Sequence, residues 1–358
     1  MKKHRATIGY AKKTSVIATV TLVALFGSAT LTSAASAKAA TRPKTQLTVA
    51  ISTPSTLYSV LYVAQQKGFF AKENVKVNIL VDGSDGATDL VAGRADVELA
   101  GTTEGFSAAA GGEPMKILYA NTVGDISGAV LVDAKSKYKT LDSLAGKTVG
   151  VIGVGTSAYG SAEFLSSRIK KAGLAPLNVV GLTSLGAVQS ELASGAIAAT
   201  VGPLDFFPTQ LANKSVRVLV NPTTPTDSAL LGGKIVPSSA VVLSKTVASK
   251  RTALTSFLAG MVDAVKYVHG ATPAKIASIL KTNSAFAPFS LSDLTQTETQ
   301  DKPYLSSISG EISSSLWSQS LATFNAWKLP VNLKDPIFSY KSIIDMAPLE
   351  AAIKLTKS

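Results

Sequence analysis

The feature that most constrains this chain is a unit written twice. Thr148 to Ile152 is a short apolar, β-prone run; Gly153-Val-Gly155-Thr156-Ser157 turns the chain, and a helical stretch then runs to the neighbourhood of Gly173. An earlier copy has Thr48 to Ile51, the turn Ser52-Thr-Pro-Ser-Thr56 and a helix that stops at Lys67-Gly68. Each copy continues with a second strand (Val75 to Val81; Asn178 to Leu182) and a second helix closed by Leu-x-x-Gly (Leu90 to Gly93; Leu192 to Gly195). A third strand follows, ending in a glycine with an acid three residues later (Gly101 and Glu104; Gly202 and Asp205). Two tandem strand-helix-strand-helix-strand units predict two similar α/β lobes. Open α/β sheets hold ligands outside the carboxyl ends of their strands, where helix N-termini converge, so the lobes are expected to share a ligand crevice.

The region before the first unit reads differently. Lys2, Lys3, Arg5, Lys12 and Lys13 form a basic head, Ser15 to Leu31 is apolar, and Ala35-Ser-Ala37 and Ala37-Lys-Ala39 are small-residue cleavage sites. This predicts a secretory signal peptide over 1–37, with a retained membrane anchor as the alternative. Cleavage after Ala37 lowers the formal net charge from +12 to +7. The remaining Lys and Arg are scattered, without the dense basic run interleaved with aromatics that marks nucleic-acid binding. The chain has no cysteine, which excludes disulfides, thiolate metal sites, cysteine nucleophiles and a lipid-modified lipobox cysteine. The expected mature protein is a free monomer of the periplasm, with no cofactor and no metal.

Composition supports a compact molecule: 46% of residues are hydrophobic and only 16% charged. The expected first lobe is discontinuous, 42–132 plus 243–358, and the second spans 133–242, with hinge crossings near 128–134 and 236–242. Met115 to Tyr119, Gly128 to Asp133, Val216 to Asn221 and Ser239 to Ser244 read as further strands. From Val247 the chain reads as helical. Leu254, Leu258, Val262, Val265 and Val268 form one apolar stripe, Thr272-Pro273 starts a helix, and Leu316, Ser320, Phe324 and Trp327 share another face. This block is expected to pack on the first lobe.

Leu61-Tyr-Val-Ala-Gln-Gln-Lys67-Gly-Phe-Phe, Leu90-Val-Ala-Gly-Arg-Ala-Asp96-Val, the run Ala108 to Lys116, Leu144-Ala-Gly-Lys147-Thr-Val-Gly150 and Asp345-Met-Ala-Pro-Leu-Glu350 occur in this order. In order and spacing they resemble the solute-binding proteins of nitrate, sulfonate and taurine importers, over essentially the whole mature chain. The resemblance implies a two-lobed, type II periplasmic-binding-protein fold. It also implies a partnership with ABC permease subunits and a separate ATPase, and a small solute, with thiamine-precursor binders in the same superfamily.

The candidate ligand residues sit in the turns. Thr156, Ser157 and Tyr159 open the helix of the second unit, and Ser52, Thr53, Ser55 and Thr56 occupy the matching corner of the first. Each hydroxyl also has a local use as a helix cap. Thr102, Thr103 and Glu104, and Asp205 and Phe206, follow the two third strands. The acids are read equally as helix-start residues or as partners for an amine on the ligand. Ser127 lies at the first crossing, as a ligand contact or a hinge. Gly153-x-Gly155-x-x-Ala158 mimics a dinucleotide fingerprint, but the following strand, Asn178 to Leu182, ends without the acid that would hold a ribose.

Catalytic motifs are thin. After the leader only His269 remains among histidines, and no zinc-protease, nucleophile-elbow or P-loop pattern is present. The chain therefore reads as a binder rather than an enzyme, acting by lobe closure over its ligand. Neutral donors at helix ends, with no Lys or Arg in these turns, suit an oxyanion such as a sulfonate or nitrate, or the zwitterion taurine if Glu104 or Asp205 holds an ammonium group. A thiamine or pyrimidine precursor, or a sensor role for the same module, is the alternative.

Overall fold

The computed structural model describes residues 45–357, with 82, 84, 85, 308, 328 and 330 excepted; the expected leader at 1–37 lies outside the described residues. Ten strands form two five-stranded sheets. The first contains β1 (Thr45–Ile51), β2 (Val75–Val81), β3 (Val97–Gly101), β4 (Met115–Thr122) and β10 (Ser238–Leu243); the second contains β5 (Val130–Asp133), β6 (Thr148–Ile152), β7 (Asn178–Leu182), β8 (Ala199–Val201) and β9 (Val216–Val220). Their orders are β2-β1-β3-β10-β4 and β7-β6-β8-β5-β9, the same pattern twice. β1 pairs in parallel with β2 and β3, while β10 is antiparallel to both its neighbours. β6 and β5 repeat those two roles in the second sheet.

In each sheet, then, four strands run one way and one runs against them. The reversed strand is the one the chain forms on arriving from the other lobe, β5 after the outward crossing and β10 after the return. By sheet membership the stretches that pass between the two sheets are 123–129 and 221–237. Both reversed strands are short and almost wholly buried, which gives a sequence reader no direction signal.

The helices follow local chemistry. Ser59–Gln66 buries its residues from Ser59 to Ala64 and stops where Gly68 adopts φ +75°, the left-handed state that a side chain disfavours. Ser157–Lys171 starts from a Thr156 cap whose Oγ1 accepts the Tyr159 amide and carries Arg168, Lys170 and Lys171 in its last turn, matched to the helix dipole. The stripe Leu254, Leu258, Val262, Val265 and Val268 is fully buried along Ser244–Gly270, and each such side chain contributes about 1.5–3 kcal/mol of burial. That helix packs on β1, β2 and Ser59–Gln66, as expected for the first lobe. Leu291–Asp301 goes further and also touches Leu204–Phe206 and Pro208–Ala212 of the second lobe.

Candidate functional site

The carboxyl ends of β1, β2, β3, β6, β7 and β8 all face one cavity of about 280 Å³. After β1 come Ser52, Thr53, Leu57 and Tyr58; after β3, Gly101 and Glu104; after β6 and at the start of its helix, Ile152, Thr156, Ser157 and Ala158. Thr183, Ser184 and Leu185 follow β7, and Pro203 and Phe206 follow β8. Ile126 and Ser127 from the outward crossing, Pro237 from the return and Ser238 at the start of β10 complete the lining. Both crossings reach this edge because each reversed strand begins where the parallel strands end.

Seven expected site residues therefore meet here: Ser52, Thr53, Glu104, Ser127, Thr156, Ser157 and Phe206. The other six do not line the cavity, and each has an internal partner. Ser55 Oγ accepts the Leu57 amide at 3.0 Å and donates to Asp205. Thr56 Oγ1 donates to Asp301 Oδ2 at 2.5 Å. Thr102, with no exposure, donates to Ser239 Oγ at 2.9 Å, and Thr103 donates to the Gly155 carbonyl at 3.2 Å. Tyr159 packs on the second-lobe core, and Asp205 is buried beneath Ser55. Tyr58, Thr183, Ser184, Leu185, Pro237 and Ser238 were not anticipated. The repeat carried a signal for Thr183 and Ser184, which follow the second strand of the second unit as Gly83 follows that of the first. Pro237 and Ser238 carried none, since antiparallel pairing across the molecule brings them in.

Beside the cavity the lobes are pinned to each other and to the crossings. Ser55 to Asp205, Thr103 to Gly155, Ser157 Oγ to the Pro237 carbonyl (3.0 Å), Ser161 Oγ to Asp125 Oδ2 (2.8 Å) and Tyr304 to the Pro222 carbonyl form a seam of hydrogen bonds. Gly160 belongs to this seam: a Cβ there would lie 2.1 Å from the Trp327 ring, so only glycine lets the second-lobe helix rest on that fully buried indole.

The electrostatics are one-sided. Among the described residues lining the cavity there is no Lys, Arg or His, and Glu104 is the one carboxylate. Its Oε1 accepts the Gly101 amide at 3.2 Å. The Tyr58 hydroxyl lies 3.2 Å from Ser52 Oγ; burial, reinforced by the charges of Glu104, Asp205 and Glu98, raises its pKa well above that of a free phenol. Behind the wall, burial pushes Glu298 up to about 8 and Asp125 up to about 7, and raises Asp205 and Asp301, the last also through the neighbouring Asp205 charge. No cluster of three or more metal-ligating side chains occurs among the described residues. His269, near the end of its helix, places Nε2 2.9 Å from the Ser306 carbonyl, away from the cavity lining.

A two-lobed α/β molecule with this cavity can be compared with known proteins. The NMT1/THI5-like family model matches residues 55–275, more than half of the chain. The chain belongs to the NMT1/THI5-like family. Among solved structures it is similar to the alkanesulfonate-binding protein SsuA from Xanthomonas axonopodis pv. citri bound to MOPS, with a TM-score of 0.64 at 19% identity over 80% of this chain and 95% of that one. It is also similar to the periplasmic nitrate-binding protein NrtA from Synechocystis PCC 6803, with a TM-score of 0.68 at 12% identity over 87% and 89% of the two chains. At these identities the likeness is one of fold, and it places this NMT1/THI5-like chain among two-lobed periplasmic-binding-protein structures of type II. A curated relative, the 4-amino-5-hydroxymethyl-2-methylpyrimidine phosphate synthase of Uromyces fabae, is 34% identical over 96 residues, 26% of this chain; the match spans 28% of that relative's length.

Proposed function

We propose that this protein is the extracytoplasmic solute-binding component of an ABC-type importer, exported by the leader at 1–37 and acting as a monomer with separate permease and ATPase subunits. The observation that carries the reading is the cavity itself: both lobes and both crossings contribute to its wall, so a bound molecule touches every part that must move for the lobes to part. A ligand contacting both lobes favours the closed arrangement by its differential affinity for it. The similarity to sulfonate- and nitrate-binding proteins supports this reading.

The test is scattering and calorimetry on the mature chain against a solute panel covering alkanesulfonates, taurine, nitrate and aminopyrimidines. A one-to-one binder that contracts the particle is the expected result; unchanged scattering with every solute would sink the proposal. A second reading, capture of a pyrimidine of the thiamine-precursor type, is favoured by the aromatic and aliphatic wall (Tyr58, Phe206, Leu57, Ile126, Ile152 and Leu185) and by the pyrimidine phosphate synthase relative. Such a ligand would stack on these side chains and present ring nitrogens to the hydroxyls.

A further inference from the structure

The cavity's charge points to one ligand class within the capture reading, on which this inference rests. We propose that the cleft selects a solute carrying a positively charged nitrogen on a small, largely apolar body, with Glu104 as the residue that sets the preference, and that it discriminates against oxyanions.

Three observations converge. The described cavity wall contains one carboxylate and no cationic side chain, so an anion would enter without a counter-charge and a cation would find one. Glu104 also stands in the place where an oxyanion would be expected. A Cβ on Gly101 would meet Glu104 Oε1 at 2.5 Å and Ser157 Oγ at 3.0 Å, so the carboxylate of the first lobe crowds the same point as the first-turn hydroxyl of the second-lobe helix Ser157–Lys171. The positive end of that fifteen-residue helix is thereby met by the protein's own negative charge. Behind the wall, the charges of Glu98 and Asp205 act on Tyr58 in the same sense as that of Glu104. Asp205, the other acid expected to hold an amine, is buried outside the cavity lining, so of the two acids it is Glu104 that stands in the wall. The remaining lining is hydroxyl, proline, aliphatic and aromatic, suited to an apolar body and to a cation set against the ring of Tyr58 or Phe206.

The test uses matched pairs with one body and opposite charge, benzylammonium against phenylmethanesulfonate and butylammonium against butanesulfonate, with benzyl alcohol as the neutral member, titrated calorimetrically at low salt. The ammonium member of each pair is expected to bind at least tenfold more tightly than its sulfonate. Glu104→Gln should weaken the ammonium at least tenfold and leave benzyl alcohol within twofold. Gln keeps a carbonyl for the Gly101 amide, and the wild-type ratio is decisive without any variant. A sulfonate that binds more tightly than its ammonium partner, or a ratio unchanged in Glu104→Gln, overturns the charge assignment; if that sulfonate also contracts the particle, the capture reading survives. Failure of both series to bind or to contract the particle overturns the two together.

Discussion

Glu104 and Asp205 hold equivalent places in the two repeats, each three residues beyond the glycine at or just after the third strand, and they meet opposite fates. Glu104 lines the cavity; Asp205 is 6% exposed and hydrogen-bonded to Ser55 of the other lobe. The difference comes from what lies opposite. Facing Asp205 are Ser55, Thr56 and the C-terminal helix Leu291–Asp301, which fill that part of the interlobe space with hydroxyls and two further acids. Facing Glu104 is the open end of Ser157–Lys171. One acid therefore belongs to the seam that holds the lobes together, and the other to the cleft they enclose. Perturbing the seam should change stability, and perturbing the cleft should change binding.

The largest expected effect on the seam is that of pH. Glu298 titrates near 8 in the folded chain against an ordinary 4.5, because burial raises it and the nearby Asp205 charge adds while Ser59 and Lys302 oppose; Asp125 titrates near 7 against 3.8, also through burial. Both folded values lie above the unfolded ones, so the native state binds more protons in between. The stability these groups contribute is complete below about pH 4 and is lost as pH rises through 7 to 8, at about 1.4 kcal/mol per pH unit for each group within its interval. Denaturant unfolding should give a stability on the order of 6 kcal/mol lower at pH 8 than at pH 5. The Glu298→Gln, Asp125→Asn double variant should flatten that slope; an unchanged slope would show that other groups set it.

Next in size is Gly160→Ala. Its methyl group would sit on the Trp327 ring, and Trp327 cannot retreat because Phe324 packs against it with centroids 4.8 Å apart in a fully buried cluster. Overpacking of this kind costs about 1–3 kcal/mol. The shift in denaturation midpoint should come with a more open particle by scattering, because the clash lies between lobes. Asp205→Ala should cost less, about 1 kcal/mol, since it leaves the buried Ser55 hydroxyl without its acceptor but also relieves the repulsion on Asp301.

The repeat made the architecture legible because period and punctuation are local signals. Gly68, Gly93 and Gly195 all take positive φ where Lys-Gly and Leu-x-x-Gly predicted helix ends, and the strands at Thr148 to Ile152 and Asn178 to Leu182 fall on the residues named from apolarity alone. The site was half legible for the same reason. Local patterns place Ser52, Thr156 and Glu104 at strand ends, but they cannot say which hydroxyls the protein consumes itself. Ser55 and Thr56 were spent on Asp205 and Asp301, partners 150 and 245 residues away, and no local pattern records such a distance. Pro237 and Ser238 were missed because only the antiparallel insertion of β10 between β3 and β4 brings them to the cavity lining.

The smallest expected effect on stability is that of Glu104→Gln, and it sharpens the contrast most. Glu104 is half-buried at the cavity wall, and its Oε1 bond to the Gly101 amide survives in the amide variant. Removing the charge should therefore shift unfolding by no more than about 0.5 kcal/mol, the range of substitutions away from a packed core. Asp205→Asn, which likewise preserves shape and an acceptor oxygen, removes a charge from a buried site where it repels Asp301, and should leave the chain as stable or slightly more stable at pH 8. If Glu104→Gln instead destabilised the chain as much as Gly160→Ala, Glu104 would be a seam residue after all. Its carboxylate would then serve the seam as well as the wall it lines, and stability and binding could not be separated at this residue.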